Sequence, residues 1–197
     1  ANFASQQRNV TQDDYLVRTL SLPSKYGTVA KAYIEPTKAQ TISAGESNSI
    51  LDLYILSNNA QGQLTTASPA LKQNIITYLS QYRMVNDSIN IKDGFIINIG
   101  INFDIITLPN YNNNDVLAAC ILALQDYFRV SNWQINQPII LRNLYAILDR
   151  IEGVQTVKNV EIVNKVGANL GYSPYAYDIT GATMNGVIYP SLDPSIF

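Results

Sequence analysis

Pro138–Val163 reads PIILRNLYAILDRIEGVQTVKNVEIV. Ile140, Leu141, Leu144, Ile147, Leu148 and Ile151 recur at steps of one, three and four, the apolar stripe of one helix. Pro138 suits the first turn of that helix, where its missing N–H costs no hydrogen bond. Arg142, Asn143, Asp149, Arg150 and Glu152 fall mostly off the stripe. Gly153 supplies the left-handed residue that ends a helix. Beyond it, Val154, Val157, Val160, Ile162 and Val163 stand among Gln155, Lys158, Asn159 and Glu161, which is an extended segment. The stretch predicts a helix, a glycine stop and a strand returning beside it.

Upstream lies the strongest period-two run of the chain, FIINIGINFDIITL, Phe95–Leu108. Phe95, Ile97, Ile99, Ile101, Phe103 and Ile105 share one face, and Asn98, Gly100, Asn102 and Asp104 the other, so one long strand is expected. Asn113, Asn114 and Asp115 offer caps for a following helix that carries Val116, Leu117, Cys120, Ile121, Leu124 and Phe128. Downstream, Tyr175–Ile179 and Ala182–Tyr189 read as extended, with Asn185-Gly186 as a hairpin turn.

The first half has its own pattern. Thr11 and Asp14 form a capping-box-like start for a helix with Tyr15, Leu16, Thr19 and Leu20. Val29–Ile34 and Ile50–Leu56 read as strands, the second dense enough to be largely buried, with a loop over Lys38–Ser49 between them. Ser68-Pro69 opens a second helix, and Asp87–Ile91 returns as a strand. The fold class expected is α+β. It comprises a first unit over 1–93, a second over 94–170 and an extended tail with a hairpin over 171–197.

Composition narrows the function. Only 14% of the 197 residues are charged, the net charge is −2 and no basic block occurs. Phosphate backbones require clustered Lys and Arg, so nucleic acid is not an expected partner. No run of about 18 apolar residues suggests a membrane span. The chain has no histidine and one cysteine, which removes Ser-His-Asp and Cys-His catalysis, imidazole metal sites and an internal disulfide. Cys120 falls on a helix's apolar stripe, where a buried thiol is expected. Asp52 and Asp104 sit on strands and are expected to face solvent or an interface. No glycine-rich phosphate loop is present. The reading is therefore no enzyme, no cofactor, no metal and no catalytic residue. The missing initial methionine and the apolar end at Ile196-Phe197 suggest a piece of a longer polypeptide.

The unit Ile151-Glu152-Gly153-Val154-Gln155-Thr156-Val157, with the pattern I-x-G-V-x-x-V, resembles the baseplate-J-like family of contractile phage tails. Val10-Thr11-Gln12-Asp13-Asp14-Tyr15 looks like that family's V-T-x-x-D-Y entry helix, and Gly27–Ala32 like its G-x-v-x-k-a strand. The Asn- and Tyr-rich tail GYSPYAYDITGATMNGVIYPSLDPSIF, Gly171–Phe197, is similar to wedge subunits of large contractile-tailed phages. The resemblance implies a structural role in the virion. Pairs of the subunit would form the inner baseplate ring around the tail hub, with other wedge proteins as partners, assembled in the host cytoplasm.

The residues themselves leave a second class open, a carbohydrate- or receptor-binding module reading sugars through Tyr and Asn. For the structural class, two surfaces are candidates for self-association. The helix carries Ile139, Tyr145 and Ala146 outside its main stripe, so its apolar surface is wider than one core contact needs. The tail combines Tyr172, Tyr175, Tyr177 and Tyr189 with few charges, a composition suited to an interface core. The tail also lacks a dense apolar core, so it is expected to complete itself against another chain or a further domain.

Overall fold

The computed structural model describes residues 11–37, 49–190 and 193–197. The loop expected over Lys38–Ser49 lies almost wholly outside them. Helices and strands in small sheets make this a mixed α+β chain, and it divides into two compact units, Ala1–Gly94 and Phe95–Phe197.

In the first unit, α1 (Gln12–Leu20) starts with a full capping box. The Asp14 N–H donates to Thr11 Oγ1 at 3.3 Å, and the Thr11 N–H donates to Asp14 Oδ2 at 2.9 Å. Strands β1 (Lys31–Pro36), β2 (Ser49–Asn58) and β4 (Asp87–Asp93) make the sheet, with the short β3 (Leu64–Thr65) turned back on the end of β2. β2 is central, antiparallel to β1 and parallel to β4. Its parallel partner is reached through α2 (Pro69–Ser80), capped by Ser68 and opened by Pro69 as the sequence predicts. Leu51, Leu53 and Ile55 pack against Tyr15, Leu71, Ile75 and Leu79 in one core. Tyr15 is buried, and its hydroxyl donates to Asp87 Oδ2 at 2.6 Å while accepting the Met84 N–H at 3.1 Å. Burial and the Asp87 carboxylate push that phenol up to about 12.

Asp52 corrects an expectation. It does not face solvent but is 2% exposed on β2. Lys92 Nζ donates to it at 2.9 Å, Thr37 Oγ1 at 2.8 Å and Asn90 Nδ2 at 3.1 Å. Burial pushes the carboxyl up, but these three donors and the Lys92 charge outweigh it and hold it below the usual range. A carboxylate with a depressed folded pKa contributes stability above its unfolded pKa, and loses it as pH falls through the folded value. Unfolding free energy should therefore drop below about pH 4. Asp52→Asn should flatten that acid limb and cost about 2 kcal/mol at neutral pH. An acid limb identical in the variant, followed by urea unfolding across pH, would show that Asp52 does not carry it.

The second unit contains β5 (Phe95–Ile96), β6 (Ile99–Thr107), α3 (Asn113–Tyr127), β7 (Ile139–Ile140), α4 (Leu141–Asp149) and β8 (Val154–Asn164). The tail adds α5 (Ile179–Ala182), β9 (Thr183–Met184), β10 (Val187–Ile188) and β11 (Ser195–Ile196). The helix–glycine–strand reading holds at its centre. Leu144 and Leu148 of α4 are fully buried, Gly153 has φ +93°, and α4 packs along β8. The helix start differs from expectation. Pro138 is outside the helix, because Ile139–Ile140 pairs as strand with Val187–Ile188, and α4 begins at Leu141 without a side-chain cap.

Phe95–Leu108 is two strands and not one. Phe95–Ile96 pairs in parallel with Ser195–Ile196, and Ile99–Thr107 pairs antiparallel with β8. At the break, Asn98 Oδ1 accepts the Ser173 N–H at 2.7 Å, so this residue binds the tail instead of continuing a strand. The alternation survives in β6: Ile101, Phe103 and Ile105 are half-buried, and Asn102 and Asp104 are exposed.

The tail also differs from expectation. Asp178 caps the short α5, where an extended segment was expected. Ile179, Ile188 and Ile196 are buried, while Tyr172, Tyr175, Met184 and Tyr189 are exposed. Asn185 and Gly186, at φ +53° and +75°, make the two-residue hairpin turn between β9 and β10.

Candidate functional site

The residues that suggested an interface separate into two groups. Ile139 is fully buried opposite Ile188 and has no surface to offer a partner. Tyr145 and Ala146 are half-buried against their own unit, where the Val160 N–H donates to Tyr145 Oη at 3.1 Å. Tyr177 is also held internally. Its N–H donates to Asn164 Oδ1 at 3.2 Å, its carbonyl accepts from Asn164 Nδ2, and its hydroxyl donates to the Tyr189 carbonyl. Tyr172, Tyr175 and Tyr189 remain exposed, Tyr175 with its ring edge-on to Phe95 at 4.8 Å.

A further apolar surface lies on α3. α3 buries Val116, Cys120 and Leu124, but Leu117, Ile121 and Leu122 of the same helix are exposed, Leu122 by 64%. Between α3 and β6 runs a cleft of about 300 Å³ lined by Ile99, Ile101, Phe103, Ile121, Leu124 and Phe128, with Gln125 as its polar residue. It exists because β6 and β8 form a two-stranded ribbon and α4 packs along β8. The inward residues of β6 are thus left half-covered. The signal was in the sequence: Leu117, Ile121 and Leu122 make the helix apolar nearly all round, and such a helix is buried on every side or covered by a partner.

Polar features are scattered. Asp52 lies in the first unit inside its own hydrogen-bond network, and Asp104 is exposed on β6 of the second. Cys120 is fully buried, and burial pushes its thiol up, away from the reactive thiolate. Among the described residues no group of three His, Cys, Asp or Glu could hold a metal, and no helix is long and apolar enough to cross a membrane. An open depression of about 630 Å³ beside the α3 N-terminus is lined by Asn110, Tyr111, Asp115, Arg150 and Glu152. There the Tyr111 hydroxyl donates to Glu152 Oε1 at 3.1 Å.

No family model and no curated protein matches the sequence. Solved structures do resemble its fold. One chain of the anti-feeding prophage baseplate, seen by cryo-electron microscopy with six-fold symmetry imposed, superposes with a TM-score of 0.56 at 16% identity. This chain shares its fold with that baseplate chain. The likeness covers 80% of the present chain and 34% of the baseplate chain, so the present chain spans about a third of that length. It therefore extends well beyond a single supersecondary motif.

Proposed function

We propose that this chain is a structural subunit of a contractile-tail baseplate wedge, part of the inner ring around the tail hub. It acts by burying surface against a second copy of itself and against other wedge proteins, with no nucleic acid, membrane or cofactor involved, and it carries no catalysis. The observation that supports this most is the fold shared over 80% of the chain with a baseplate chain. The exposed apolar face of α3 and the low charge agree with a protein that works by lasting contacts. Its place is the virion tail, after assembly in the host cytoplasm.

Co-expression with the other wedge proteins tests the reading. Sedimentation should show one complex containing this chain, and the same preparation should return peptidoglycan fragments and glycans unchanged. A chain that sediments alone in every combination would contradict it. The second reading, a carbohydrate-binding module, is supported by the depression beside Tyr111. Glycan binding abolished by Tyr111→Ala, with no co-assembly, would favour that reading.

A further inference from the structure

The ribbon of β6 and β8 has two unlike edges. On β8, Tyr145 accepts the Val160 amide, and Asn164 exchanges hydrogen bonds with Tyr177, so side chains and the tail occupy that edge. On β6, the Lys165 N–H donates to the Asn98 carbonyl at 2.8 Å. This sets the even-numbered residues in the hydrogen-bonded pairs with β8, and turns the amides and carbonyls of Ile99, Ile101 and Phe103 to the opposite edge. Among the described residues no other strand pairs there. The strand is nine residues long. Its sequence, IGINFDIIT, has no proline, no lysine and no inward charge, three of the devices that stop edge pairing; the bulges of its ladder with β8 fall only after Asp104 and after Ile106.

We infer that this edge pairs antiparallel with the same edge of a second copy, about a two-fold axis at Phe103. The inference rests on the self-association in the proposed function and names its surface. The two pairs nearest Phe103 match across it, Ile101 with Ile105 and Asn102 with Asp104, while Gly100 with Ile106 and Ile99 with Thr107 do not. Pairing there sets Ile101 opposite the partner's Ile105 and Asn102 opposite the partner's Asp104. Inward apolar residues meet inward apolar residues, and no carboxylate faces another, as an isologous contact requires. A one-residue slip would set inward residues opposite outward ones.

Charge complementarity selects the second copy as occupant. Lys165 lies across Gly100, where an added Cβ would stand 2.6 Å from its Cε, so its stem runs over β6 toward the open edge. In the two-fold register Gly100 is the diagonal neighbour of the partner's Asp104, within reach of a long side chain. Lys165 and Asp104 are both exposed, and neither has an ion-pair partner among the described residues. The pairing brings them together twice, once on each side of the axis. Ile99, Ile101 and Phe103 also line the cleft beneath α3, so an added strand enters beside apolar surface and not into open water.

Charge swapping of the purified chain tests this at low salt by sedimentation equilibrium. The chain should dimerise. Asp104→Lys or Lys165→Asp alone should each weaken the dimer about tenfold by placing like charges together, and the double swap should restore it. Both sites are exposed, and unchanged thermal melts would exclude misfolding. A dimer indifferent to both single changes, or not restored by the double swap, would overturn this surface but leave self-association standing. A monomer at high micromolar concentration would overturn both, while co-assembly with other wedge proteins would still test the baseplate reading separately.

Discussion

Leu148→Ala should cost about 3 kcal/mol and unfold the second unit at markedly lower urea. Leu148 is fully buried on α4, the helix that packs along β8. Truncating it removes apolar contacts from the side of a two-stranded ribbon, which has few neighbours to collapse into the cavity. The readout is built in. Trp133 is the chain's one tryptophan and lies buried in this unit. Its ring stacks on Phe128 with centroids 5.0 Å apart, and its Nε1 donates to the Tyr127 carbonyl at 2.9 Å. Its fluorescence therefore follows the second unit alone. A loss under about 1 kcal/mol would mean that α4 is not the element holding β8 in place.

Gly153→Ala should be nearly as damaging, for a different reason. The backbone there sits at φ +93°, and a Cβ would stand 2.6 Å from Val116 Cγ2 and 2.7 Å from the Tyr111 ring. The conformation alone costs about 1–2 kcal/mol with a side chain. Pushing α3 and Tyr111 aside adds roughly 1–3 kcal/mol. Gly186→Ala separates these effects, because Gly186 has φ +75° and nothing within 4 Å of its added Cβ. The Gly186 variant should lose only the backbone share. Equal losses at the two glycines, by the same Trp133 signal, would show that close packing around Gly153 contributes nothing.

Leu148 and Gly153 also mark what is legible in the amino-acid sequence alone. Periodicity locates α4, which ends at Asp149 before the expected Ile151, and Gly153 marks the turn into β8 and not the helix end itself. Both are legible because the signals are local. Thr11 with Asp14, Ser68 with Pro69, and Asn185 with Gly186 are legible for the same reason, since each makes its hydrogen bonds or turn within a few residues. The failures share a cause as well. Phe95–Leu108 reads as one strand, but Ile196 and Ser173 capture its first residues from far along the chain. Pro138 reads as a helix start, but the hairpin at Val187–Ile188 pulls Ile139–Ile140 into a strand. Non-local pairing overrides a local pattern, and no window over the sequence contains both partners.

The interaction surface is only partly legible. Tyrosine content draws attention to the tail, yet Tyr177 spends its hydrogen bonds inside its own unit. Tyr145→Asp or Tyr177→Asp would therefore disturb the fold as well as any contact. The apolar all-round character of α3 is visible in Leu117, Ile121 and Leu122, but which side α4 and β8 leave open depends on tertiary packing. The bare edge of β6 is likewise a property of the sheet, since a strand's sequence does not state how many neighbours it has.

The central claim, that this chain works as a baseplate subunit, is tested most directly by locating it in assembled tails. A compact tag fused to the chain and imaged by cryo-electron microscopy should give density at the baseplate, arranged in a ring about the tail axis. Tag density confined to the sheath, to the tail tube or to fibres, or tails that lack the chain altogether, would contradict the account.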